Sequence, residues 1–222
     1  MKRCFSIFVF VIMSLMSSAA ENKLTKDCHP RLILDAAEFR QLKERVSDGG
    51  AVGKLHDHMM TVADASVADE KRFTSVRNAK GKSLACPILN RLVSCAYAYK
   101  MTGAKKYRDK AIADLNDVCS FDGWYVRSYL DVSQVSAAVA ITYDWLYDSL
   151  PKSLKAKVVY ALKTFALETS RMSDRHEYTW WYKRIGNWNQ VCNAGLVCAA
   201  VAILPPRSVI SATASVYPRQ TA

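Results

Sequence analysis

Glycine and proline are scarce, 8 and 6 in 222 residues. A β-sandwich or barrel of many short strands needs more turn residues than this, so the scarcity favours helices. No stretch alternates apolar and polar residues with period two, the pattern of a half-buried strand. The chain has no Cys-x-x-Cys pair, which removes a zinc ribbon from consideration. Past the N-terminus, no apolar run reaches the ~20 residues that span a bilayer. The nearest candidate, 191–204, is shorter, and its helix opens with Asn189, Gln190 and Asn193. Acidic residues are also in deficit, 20 against 31 Lys and Arg, a net charge of +11. What remains is 50% hydrophobic and 23% charged. That is a globular composition, which excludes wholesale disorder and collagen-like repeats. A chain of this length can bury a core without disulfide staples. Its positive charge attracts polyanions: nucleic acid, anionic lipid or acidic polysaccharide.

The N-terminus chooses among these. Lys2 and Arg3 precede an apolar run from Phe5 to Met16, followed by Ser18-Ala19-Ala20. This is the pattern of a secretory signal peptide over 1–20, cleaved after Ala20. Export to the periplasm or the medium demotes nucleic acid and leaves acidic polysaccharide as the expected partner, with no membrane span after cleavage. Removing Lys2 and Arg3 leaves 29 basic against 20 acidic residues. Six cysteines remain, Cys28, Cys86, Cys95, Cys119, Cys192 and Cys198. They allow 15 pairings. Cys95, Cys192 and Cys198 nevertheless sit in apolar helical stretches, where cysteine behaves as a small buried hydrophobe.

Seven helices follow. His29-Pro30-Arg31-Leu32 is an extended lead-in. Asp35 with Glu38 makes a capping box, and Phe39, Leu42 and Val46 follow at helical spacing up to Gly49-Gly50. The second helix covers 51–68, and the basic segment 69–83 is a loop. Pro87 fits a first turn; Ile88, Leu92, Cys95 and Tyr99 share one face, and Gly103 stops the helix. Further helices cover 104–119, 132–148 with Asp131 as its cap, 152–170 opened by Pro151, and 188–204. The helices at 104–119 and 152–170 are charged on one face. Those at 132–148 and 188–204 are apolar nearly all round, as in a helix buried on every side. This alternation predicts an all-α fold with two layers, an incomplete (α/α) toroid of antiparallel helical hairpins. After Pro205-Pro206 the segment 205–222 has no periodicity, and it is expected to be a truncated or frame-shifted end.

Three segments carry a resemblance. They are Tyr97-Ala98-Tyr99-Lys100-Met101-Thr102-Gly103-Ala104-Lys105-Lys106-Tyr107, the helix from Leu130-Asp131-Val132 to Ala140-Ile141-Thr142-Tyr143-Asp144-Trp145-Leu146-Tyr147-Asp148, and Gly186-Asn187-Trp188-Asn189-Gln190-Val191-Cys192-Asn193-Ala194-Gly195-Leu196. In this order and spacing, with His29-Pro30-Arg31-Leu32 ahead of them, they resemble the N-terminal domain of heparinase II/III-type polysaccharide lyases, over residues 21–204. The resemblance implies an α/α toroid, followed in full-length members by a β-sheet domain that this chain lacks. It implies β-elimination at a uronic acid in a heparin- or heparan-sulfate-like polymer. Such a reaction needs donors that neutralise the substrate carboxylate and groups that move protons. The family takes its proton-transfer Tyr and His from later regions, so the chain is expected to be inactive by itself.

Asn187 and Asn189 are the neutralising candidates, since an amide NH₂ offers two donors without adding charge. They stand at a loop-to-helix junction where backbone N–H groups also favour anions. The alternative role for either is to cap the helix. Gln190 and Asn193 lie one turn further in and extend the polar patch. Trp180 and Trp188 offer faces for sugar rings, with Trp181 the better candidate for core packing. Arg184 suits a carboxylate or sulfate through its fork geometry, and His176 is a further donor. Tyr143 and Asp144 read as packing residues, with Asp144 also able to orient a cleft group. No cofactor is expected, and no metal: His56-Asp57-His58 aims its two imidazoles at different faces of a helix. Two other readings stay open. One is a non-catalytic toroid that binds acidic glycans. The other is an unsaturated-uronide hydrolase of the same architecture, for which Asp131, Asp144 and Glu177 are available carboxylates.

Overall fold

Asp35 starts the first helix as its spacing to Glu38 predicts. Its carboxylate accepts from the backbone N–H of Ala37 and Glu38, and Glu38 returns a bond to the Asp35 N–H. The computed structural model describes residues 29–171 and 180–204. The signal segment 1–20, Cys28, His176, Glu177 and the tail 205–222 lie outside the described residues. Seven α-helices are described: α1 (Ala36–Ser47), α2 (Gly50–Ala68), α3 (Ala85–Thr102), α4 (Lys105–Val118), α5 (Tyr129–Leu146), α6 (Lys152–Ala161) and α7 (Asn187–Ile203). Among the described residues there is no strand, only an isolated bridge between Arg77 and Ser83. The protein is all-α. No helix among the described residues is long and apolar enough to cross a membrane.

Side-chain bonds give the relative directions of the helices. Ser83, just before α3, donates to Asp131 in the first turn of α5 at 2.8 Å. Ser133, two residues further along α5, donates to the Val191 carbonyl in the first turns of α7. At the opposite end, Ser149, just past α5, reaches Tyr99 in the last turn of α3 at 3.5 Å. Helices α3, α5 and α7 therefore run parallel, with their N-termini at one end. Helices α2 and α4 run against α3. His56 early in α2 meets Tyr97 late in α3 at 2.9 Å, and Arg91 early in α3 meets Asp114 late in α4 at 2.9 Å. The parallel set carries most of the core, including Ile88, Leu92, Val139, Ile141, Leu146 and Leu196.

The close approach of α5 and α7 explains a glycine. A Cβ on Gly195 would lie 2.3 Å from the Ser133 carbonyl oxygen and 2.4 Å from its hydroxyl. Only glycine fits there, and Ala194, Ala199 and Ala200 keep the rest of that helix slender.

The lead-in ties down the other end of the row. Asp144, fully buried near the end of α5, accepts from the backbone N–H of Arg31 at 2.8 Å and of Leu32 at 2.7 Å, and meets His29 Nδ1 at 2.5 Å. Trp145 donates to the Leu32 carbonyl at 2.9 Å, and His29 stacks on Tyr147 at 3.9 Å between centroids. The Arg31 guanidinium donates to the carbonyls of Ala202 and Leu204, 3.1 and 3.3 Å away. It thus satisfies carbonyls that have no partner inside α7 and complements the negative end of the helix dipole. Asp144 thus fastens the lead-in to α5, the packing role expected of it.

Two local expectations are corrected. Asp131 does not cap α5: Ser128 occupies the cap position without a side-chain bond, and the Asp131 carboxylate pairs with Arg77 and Ser83. The helix expected over 152–170 is α-helical only to Ala161. It widens into π-helical turns over Leu162–Glu168 and tightens into a 3₁₀ turn over Thr169–Arg171. Near the end of this stretch Tyr129 donates its hydroxyl to the Ala166 carbonyl at 2.8 Å. The described cysteines, Cys86, Cys95, Cys119, Cys192 and Cys198, are free thiols, and all but Cys86 are buried.

Candidate functional site

The end where α3, α5 and α7 all begin gathers the polar residues singled out from the sequence. A helix N-terminus carries about half a positive charge, though at α3 the Ala85 N–H is already given to the Ser83 hydroxyl and Pro87 has none, and at α5 the Asp131 N–H is given to the Ser128 carbonyl. Three loops lead into these helices, and exposed cations stand on them: Lys80 and Lys82 before α3, Arg127 before α5, Lys183 and Arg184 before α7. Asp122 is exposed on the α5 loop, whereas Asp131 is buried against Arg77.

Trp180–Lys183 forms a 3₁₀ turn anchored by Trp181, 1% exposed, whose ring stacks on Tyr129 at 4.8 Å and 28°. This is the core role expected for Trp181. Arg184 then donates its backbone N–H to the Trp181 carbonyl at 3.2 Å. Gly186 turns the chain into α7 with φ 155°, a conformation that a side chain makes costly. The turn leaves Trp180 half-buried against Trp188, with ring centroids 4.8 Å apart and planes at 44°. The Arg184 guanidinium lies over Trp180, 5.4 Å from the ring centre. The structure thus brings Trp180, Trp188 and Arg184 together beside Asn187.

The two asparagines are not equivalent. Asn189 donates its amide to the Tyr182 carbonyl at 2.7 Å, fastening the turn to α7. Its backbone carbonyl and side-chain oxygen in turn accept from Asn193, at 2.8 and 3.2 Å. Asn193 is 2% exposed and its own side-chain oxygen has no partner. Both residues serve the local structure. Asn187 does not: Gly186 holds the cap position without a side-chain bond, and the Asn187 side chain is exposed with no hydrogen bond among the described residues. Gln190 is exposed one turn on. Neither asparagine caps the helix.

A second feature was missed in the sequence. Arg77 grips Asp131 through Nε and Nη2 at 3.0 and 2.7 Å, and donates Nη1 to the Gly81 carbonyl at 2.8 Å. Its guanidinium covers the ring of Tyr125 at 4.1 Å. Tyr125 holds φ 58°, rare for a residue with a side chain. The only available signal was the run of cations in 69–83, which by itself reads as a solvated loop.

Among the described residues no group of three His, Cys, Asp or Glu could hold a metal ion. His56, from the His-Asp-His triplet, bonds to the Tyr97 hydroxyl. The buried phenol of Tyr143 is pushed up to about 12, chiefly by burial. It stands with Asp144 at the far end of the row, away from Asn187. No protein-family model matches the chain, and no curated protein matches it.

Proposed function

We propose that this chain binds uronic-acid-containing polysaccharide across the end where α3, α5 and α7 begin, as the helical part of an exported lyase of the heparinase II/III type. In this reading the described helices are the opening part of an (α/α) toroid, and the three parallel helix starts form the floor of its cleft. The supporting observation is Asn187, an exposed amide with no hydrogen bond among the described residues, at a helix N-terminus with two tryptophans and an arginine beside it. Its NH₂ donates to a substrate carboxylate, and the nearby backbone N–H groups share the load. Arg184 pairs with a second carboxylate or a sulfate, while Trp180 and Trp188 take the face of a sugar ring. Asn189, Asn193 and Trp181 position this set without touching substrate. Neutralising the carboxylate makes the adjacent C5 proton more acidic, the first demand of β-elimination. Binding rather than turnover is the activity we propose for this chain by itself.

The test is a titration with heparin, alginate and polygalacturonate. Wild-type protein should bind at least one. Asn187→Ala should bind it about tenfold more weakly, the loss of one hydrogen bond to a charged group. Ultraviolet absorbance of unsaturated uronides, followed in parallel, should stay flat. A rising trace would assign proton transfer to this chain and overturn the binding-only part of the reading. Failure to bind any of the three polymers would overturn the whole.

A further inference from the structure

The loop between α2 and α3 ends in a built cationic hairpin. Val76 accepts from the Leu84 N–H at 2.7 Å, and Asn78 exchanges with Lys82 and Gly81 through backbone bonds of 3.0 and 2.8 Å. The Asn78 side-chain oxygen accepts from the N–H of both Lys80 and Lys82, at 3.0 and 2.9 Å. Gly81 takes φ 73°, which closes the tip. Arg77 is pinned at the base by Asp131, Gly81 and Tyr125, as described above. The tip is therefore ordered before any ligand arrives, and it carries two exposed lysines that have no acidic partner among the described residues. Exposed Arg127 stands on the neighbouring loop before α5.

Its position relative to Asn187 follows from α5. The hairpin holds the first turn of α5 through Asp131, and α7 holds the next turn through Ser133. Hairpin and Asn187 thus flank the same helix start from opposite sides. With axes of packed helices about 8–10 Å apart, they stand about 16–20 Å from one another along the row. That is a span of several monosaccharides. Cations so placed contact different segments of one long chain and cannot both contact a short one.

We infer that the hairpin carrying Lys80 and Lys82, with Arg127 beside it, is a second anion-binding subsite, which engages the same acidic polysaccharide several sugars away from Asn187. The inference rests on the proposed polysaccharide reading and adds a dependence on chain length. Lysine is a point charge without a fork, so the subsite takes sulfate and carboxylate alike. It strengthens binding by releasing counterions from the polymer.

The experiment is a titration of the whole protein, wild type and Lys80→Ala/Lys82→Ala, with long-chain heparin and with a heparin disaccharide, which is too short to span the two sites. It is repeated at several salt concentrations and with long-chain alginate, which carries carboxylates only. The double variant should lose roughly tenfold in affinity for long chains at low salt, and its slope of log affinity against log salt should fall by about one to two. Its affinity for the disaccharide should match wild type, as should its thermal unfolding midpoint, because both side chains are exposed. Lys80→Glu alone should weaken long-chain binding in the same direction. Loss on heparin but not on alginate would overturn the indifference to anion type. Equal long-chain affinity in wild type and variant, or equal loss on short and long chains, would overturn the subsite while leaving the Asn187 site standing. Absence of binding by the wild type to every probe would remove both.

Discussion

Asp144→Ala should cost about 3–5 kcal/mol of stability, the usual penalty for removing one partner of a buried charged network. Three groups lose their acceptor together: the His29 ring and the backbone N–H of Arg31 and Leu32. A buried N–H without a partner carries its full desolvation penalty. The lead-in should then leave the ends of α5 and α7. The Arg31 guanidinium would withdraw from the carbonyls of Ala202 and Leu204. Two measurements check this. The urea midpoint should fall well below wild type, and trypsin should cut after Arg31, which is 7% exposed in the intact protein. Asp144→Asn keeps one acceptor oxygen and should fall between the two. An unchanged midpoint and an uncut Arg31 would show that the lead-in is not fastened by Asp144.

Gly195→Ala should destabilise by about 3 kcal/mol, at the upper end of the range for overpacked cores. The added methyl meets a backbone carbonyl at 2.3 Å, and backbone cannot rotate aside as a flexible side chain does. Relief requires α5 and α7 to separate along their whole contact. Ser133→Ala should not rescue the variant, because deleting the hydroxyl leaves the carbonyl in place. The internal control is Gly53→Ala in α2, where the new Cβ would sit 3.6 Å from the Val46 carbonyl, an ordinary contact. Replacing a helical glycine where space allows should gain up to about 1 kcal/mol. Opposite signs for two Gly→Ala changes, both within helices, would attribute the first to the helix–helix approach. Two similar small effects would contradict it.

The helices were legible because their signals are local. Asp35 and Glu38 lie within one turn, Gly103 stops α3 in a left-handed conformation at φ 73°, and α2 and α4 begin and end within a residue of their expected bounds. What was hidden depends on partners far along the chain. Asp144 is spent on residues more than 110 positions earlier. The Ala166 carbonyl in the π-helical stretch accepts from a tyrosine 37 positions earlier. No periodicity in 152–170 could announce it. Asp131 looked like a cap because it precedes an apolar run. An arginine from the loop between α2 and α3 claims its carboxylate, and the helix begins at Tyr129.

The candidate site was legible as a cluster but not as a division of labour. The Gly186-to-Gly195 segment is rich in amides and aromatics, and that composition singles it out. The division is set by the return of the Trp180–Lys183 turn onto α7, which puts the Tyr182 carbonyl against Asn189, while Asn187 has no bond among the described residues. Which tryptophan is core is decided by Tyr129, on a helix some 50 positions earlier. The row of parallel helix starts is likewise a property of packing. Sequence alternation between charged and apolar helices suggests two layers, but the shared direction of α3, α5 and α7 follows from Ser83, Ser133 and their partners.

The most direct measurement is the affinity of the whole protein for long-chain heparin, alginate and polygalacturonate at low salt, with Asn187→Asp beside the wild type. That substitution keeps size and shape and replaces a donor by a negative charge at the point where a carboxylate is proposed to sit. The expected result is binding by the wild type and a loss of well over tenfold in the variant, with unchanged thermal unfolding. Equal binding by both proteins would place the polysaccharide elsewhere, and no binding by the wild type would refute the proposed function.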